Sequence, residues 1–118
     1  MDKKAGIEQL FEIINMKAKV QQSIYQMFEL IRQQGEGKDH EEFVAAMQES
    51  FDTDAVYYAY MAIWEKFYSI EDITGLIQFY QMPLGKKLLE AEPLIQQESE
   101  LVLQQCIQAS IEKLIADV

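Results

Sequence analysis

Apolar residues recur at intervals of three, four and seven along nearly the whole chain, and this spacing limits the possible folds more than any motif does. Side chains three or four apart share one face of a helix, so Ile7, Leu10, Phe11 and Ile14 predict a first amphipathic helix. Asn15 stands as a break or cap before a second, with Val20, Ile24, Met27, Phe28 and Ile31 inward and Gln21, Gln22, Gln26 and Gln33 outward. The run Gly35-Glu36-Gly37-Lys38 ends that helix by supplying two residues free to take left-handed dihedrals. Asp39, with Glu42 three residues on, is placed to cap a third helix on which Phe43, Met47 and Phe51 share a face. Asp52-Thr53-Asp54 reads as a corner, and Asp54 caps a fourth helix over 54–68.

Ser69 followed by Asp72 is a further capping signature, opening a fifth helix with Ile70, Ile73, Leu76, Ile77 and Tyr80 inward. Met82 precedes a proline, which pushes it out of helical dihedrals and makes it the next corner. The last helices then run from Pro83 to the end with a bend at Pro93, since proline lacks an amide donor and clashes with the preceding turn. Two prolines and five glycines in 118 residues are too little punctuation for a sheet full of turns. The expected fold is all-α: a single-domain bundle, residues 1–118, of about six or seven mostly antiparallel helices with short connections. No repeat, low-complexity tract or linker divides it.

Composition narrows function chiefly by exclusion. A 49% hydrophobic, 25% charged chain of this length can bury a core without disulfides or metal. Twenty acidic against ten basic residues give a net charge of -10, a field that repels nucleic acid and anionic lipid. No segment reaches membrane-spanning length. The single Cys106 rules out an intramolecular disulfide, and its setting in "LVLQQCIQAS" is read as a buried helical position, with no His, Lys or Arg near enough in sequence to activate a thiol.

Reaction motifs fail one by one. "HEEF" at His40 lacks the second histidine of a zinc-protease helix, because Val44 occupies that place. One histidine cannot supply the paired Glu-x-x-His motifs of a di-iron bundle. Asp39, Glu41, Glu42, Glu49, Asp52 and Asp54 are dense in charge but lack calcium-loop spacing, and read as solvated helix ends. "LGKKLL" is not a phosphate-binding loop, since Tyr80 stands where the first glycine belongs and no Ser or Thr follows the lysine. No catalytic residue, metal ligand or cofactor is expected.

Two features remain as binding candidates. The helix over 54–68 is apolar almost all round, with Tyr57, Met61, Trp64 and Tyr68 in one stripe and Tyr60, Ile63 and Phe67 in another. Such a helix is either central or set at an interface, so Tyr57, Tyr60, Met61, Trp64 and Tyr68 are read as core aromatics or as an apolar groove or dimer seam. At the second feature, Pro83 opens a helix with no side-chain cap, leaving the amides of Leu84 and Gly85 beside Lys86 and Lys87, where a carboxylate or phosphate could sit. Gly85 costs about 1 kcal/mol against alanine in a helix, so a close approach there of another helix, or of the Phe79 or Tyr80 ring, is expected to compensate.

The segment Ser69–Ser99 carries Phe79 and Tyr80, then Pro83 and Gly85, then Lys86 or Lys87, Leu88 and Leu89, and finally Pro93. In this it resembles the bacterial family catalogued as domain of unknown function 2059, with Met82 where that family often has Ser. "IEQLFEIINM" also looks like the family's usual first helix. The resemblance implies a helical domain without established activity, usually exported behind a signal peptide. "MDKKAGIEQL" shows no such leader, so a periplasmic or secreted site is expected if one was trimmed, and a cytoplasmic site otherwise. The function expected is a non-enzymatic module that binds another protein or itself, as a homodimer; the alternative is a binder of a small anionic or apolar ligand.

Overall fold

The computed structural model describes residues 2–118. It consists of α1 (Lys3–Ile13), α2 (Met16–Gln33), α3 (Lys38–Ser50), α4 (Thr53–Phe67), α5 (Ile70–Gln81) and α6 (Pro83–Ala116), with no strand among the described residues. The all-α class is therefore as the periodicity requires. The chain forms two compact units, the first ending at Gln78 and the second running Phe79–Val118. Their boundary falls inside α5, where the sequence has no linker.

In the first unit α1 packs on α2 and α4, and α2 packs on α3 and α4. The whole apolar face of α1 is buried, with Ile7, Leu10 and Phe11 almost inaccessible and Ile14 close behind. Val20 and Phe28 from α2, Val44 from α3, Met61 from α4, and Ile73 and Ile77 from α5 are the other large buried contributions. Three side chains expected inward turn out: Met27 is exposed on α2, and Phe43 and Phe51 are exposed where α3 instead buries Val44. Phe51 still meets Phe28 edge-on at 5.4 Å between ring centres.

Chain breaks follow local chemistry, with several shifts of one or two residues. Asn15 takes left-handed dihedrals, φ 56° and ψ 45°, and makes no side-chain capping bond, so it breaks the helix without capping the next. Gly37, at φ 94°, rather than Asp39 stands at the start of α3; Asp39 falls in its first turn, where a carboxylate suits the positive end of the helix. Glu42 completes no capping pattern and instead lies 3.9 Å from Lys38. Gly35 has ordinary dihedrals, but a Cβ there would lie 2.5 Å from the His40 ring, whose Nε2 is 3.0 Å from the Ile31 carbonyl oxygen. At the next corner Asp52, not Asp54, is the cap: its carboxylate accepts from the Ala55 amide at 3.1 Å.

The cap of α5 is reciprocal. The Ser69 amide donates to Asp72 Oδ2 at 2.9 Å, and the Asp72 amide donates to Ser69 Oγ at 3.1 Å. The Ser69 backbone bond and then its side chain hold the Asp72 carboxyl below its usual range, against an opposing push from burial and with a pull from Lys3 as the smallest contribution. A depressed folded pKa stabilises above the unfolded value and stops doing so as pH falls through the folded one. Asp72→Asn should therefore flatten the acid limb of a Tm-against-pH curve, leaving the melting of wild type and variant closer together in acid than at neutral pH. Ser69→Ala should cost about 1 kcal/mol in denaturant unfolding at neutral pH, the usual loss of an N-cap hydroxyl. An unchanged midpoint would mean that the pair contributes nothing.

Where a bend between last helices was expected, α6 continues as one helix of 34 residues with Pro93 inside it. Proline removes one amide from the ladder, yet Leu-Leu-Glu-Ala-Glu before it and Leu-Ile-Gln-Gln-Glu after it are good helix formers. Gln96 with Glu100, and Gln108 with Glu112, add side-chain bonds one turn apart at 3.4 and 3.2 Å. Among the described residues no helix is long and apolar enough to cross a membrane.

Candidate functional site

The aromatic helix α4 divides its side chains between core and surface. Tyr57 and Trp64 both meet the buried Phe11 ring edge-on, at 5.6 and 5.2 Å, and Met61 is buried between them in the stripe. Trp64 continues to Tyr68 at 5.2 Å, while Tyr60 is half-buried. Burial, and then Glu8 and Glu12 nearby, push the Tyr57 phenol above its ordinary range. Three of the five residues read as groove or seam thus serve to lock α4 onto α1. The outward side chains are Tyr58, Ile63 and Phe67, the last 76% exposed. A cleft of about 290 Å³ opens between α1 and α4, lined by Lys4, Ile7, Tyr58, Met61, Ala62 and Glu65.

At the start of α6, Met82 is extended, φ -79° and ψ 157°, makes no side-chain cap, and is followed by Pro83 at the first helical position. Leu84, Lys86 and Lys87 are exposed, but Gly85 is buried. A Cβ added to Gly85 would lie 1.9 Å from the Phe79 carbonyl oxygen and 2.6 Å from the Tyr80 Cα. The close approach expected at this glycine is therefore made by backbone, at the end of α5, and not by a ring. Phe79 and Tyr80 stack edge-on with each other at 5.2 Å. Leu84, Gly85, Lys86 and Lys87 consequently divide between a packed face and a solvated one.

Sequence reading passed over the feature that stands out most. Every described residue of α6 beyond Ala91 is exposed, among them Leu101, Val102, Leu103, Ile107, Ile111 and Leu114. Cys106, read as buried, is exposed with them. The available signal was the run Leu101–Ile111, eleven positions holding no Asp, Glu, Lys, Arg or His. Among the described residues no three His, Cys, Asp or Glu side chains come together as metal ligands would. The acidic residues around the α3–α4 corner are spread over helix ends, where Asp52 is occupied with its cap.

The model of a family described as "uncharacterized protein conserved in bacteria (DUF2059)" matches residues 59–113, a span that includes the whole of Ser69–Ser99. No curated protein matches the chain.

Proposed function

We propose that this chain, whose residues 59–113 carry the DUF2059 region, is a non-enzymatic module that docks another protein along the apolar side of α6. One observation carries the reading: the large apolar side chains of α6 from Leu94 onward all lie open. A helix that is apolar on most sides is normally covered, and soluble monomers seldom leave contiguous apolar patches of more than a few hundred Å² exposed. The family resemblance supports placing this docking outside the cytoplasm, in the bacterial envelope.

A docking face differs from a core face in what its loss does to the protein's own stability. Leu103→Gln with Ile107→Gln should leave the melting temperature within about 2 °C of wild type, since substitutions at exposed positions usually change stability by no more than about 0.5 kcal/mol. The reading fails if the double variant melts far below wild type, because those side chains would then belong to the chain's own folded interior.

A further inference from the structure

We infer that the partner on α6 is a cationic amphipathic helix rather than a second copy of this chain; the inference rests on the docking role proposed above. Leu103, Ile107, Ile111 and Leu114 follow at four, four and three residues, so they form one stripe along α6, and all four are exposed. The stripe has an acid at each end, Glu100 three residues before Leu103 and Asp117 three after Leu114, and the run Leu101–Ile111 between them holds no charge.

In paired helices the apolar seam supplies area, and charges bordering it select the partner and its direction. Two copies of α6, parallel or antiparallel, would bring these acidic ends against each other, on chains that each carry -10. A helix with Lys or Arg beside its own apolar stripe meets the same ends with opposite sign, which favours encounter and disfavours the wrong partner.

The test uses two synthetic helical peptides with one apolar stripe, bordered in one by Lys and Arg and in the other by Glu. Each is dye-labelled and titrated with the full chain while anisotropy is followed. The expected result is at least about tenfold tighter binding of the basic peptide, weakening as salt rises, and lost in the Leu103→Gln, Ile107→Gln variant. Equal binding of both peptides, binding of neither, or basic-peptide binding that the variant retains would overturn the inference. So would sedimentation of the wild type as a dimer that the double variant dissolves. A variant as stable as wild type, with neither peptide bound, removes only the cationic partner; a variant that melts early removes the docking role as well.

Discussion

Phe11→Ala should lower unfolding stability by about 4 kcal/mol, within the range found when a buried phenylalanine is emptied to alanine. Phe11 is 1% exposed and is the ring against which both Tyr57 and Trp64 stand edge-on, so its removal opens a cavity at the junction of α1 and α4. Two aromatic contacts go with it, each contributing about 0.5–1.5 kcal/mol beyond the area buried. Trp64 is the only tryptophan, which makes its fluorescence a direct probe of this junction during urea unfolding. Phe67→Ala is the control: the same side chain, on the outward face of the same α4, should cost under about 0.5 kcal/mol. Equal losses in the two variants would contradict the assignment of faces on α4.

Gly85→Ala should lower the melting temperature by on the order of 10 °C, against the direction that helix propensity alone requires. Alanine gains about 1 kcal/mol over glycine in a helix interior. Here the new methyl group would sit 1.9 Å from the Phe79 carbonyl oxygen, a backbone atom that cannot rotate away, so α5 and α6 must move apart at their junction. Overpacking of that kind costs about 1–3 kcal/mol and at times more, enough to reverse the sign. Gly75, inside α5, makes the comparison clean, since nothing lies within 4 Å of the space its Cβ would fill. Gly75→Ala should therefore stabilise by roughly 0.5–1 kcal/mol. A stabilised Gly85→Ala would mean that the contact at Phe79 is not maintained in solution.

The residues that proved legible were those whose physics is local. The period of Ile7, Leu10, Phe11 and Ile14, the pairing of Ser69 with Asp72, and the extended Met82 ahead of Pro83 each follow from a few neighbours, and the structure shows all three. Gly85 was legible as the close approach of another helix, but not which of its atoms approaches, because a backbone carbonyl leaves no side-chain signature. The starts of α3 and α4 each fall two residues earlier than expected, for different reasons: Asp52 and Asp54 both offer a carboxylate for one cap, whereas α3 begins at Gly37, whose φ of 94° suits glycine and which has no side chain to cap with.

The candidate binding faces were less legible for a different reason. Periodicity tells which side chains share a face, but not whether anything lies against it. On α4 that ambiguity resolves inward, since α1 offers the matching face. On α6 a run of Leu, Val and Ile looked like core, and Cys106 with it, although those side chains are open.

The boundary within α5 also bears on the order of events during synthesis. The packed pairs α1 with α4, α1 with α2, α2 with α3 and α2 with α4 are all encoded before Phe79. The forty residues Phe79–Val118 take about 2–8 s to add at usual elongation rates. Helical cores with largely local contacts close in microseconds to milliseconds. Once clear of the ribosome, the N-terminal core closes in less time than a further residue takes to be added, so a nascent chain would show a protected Trp64 while Leu103 and Ile107 are still held within the ribosome.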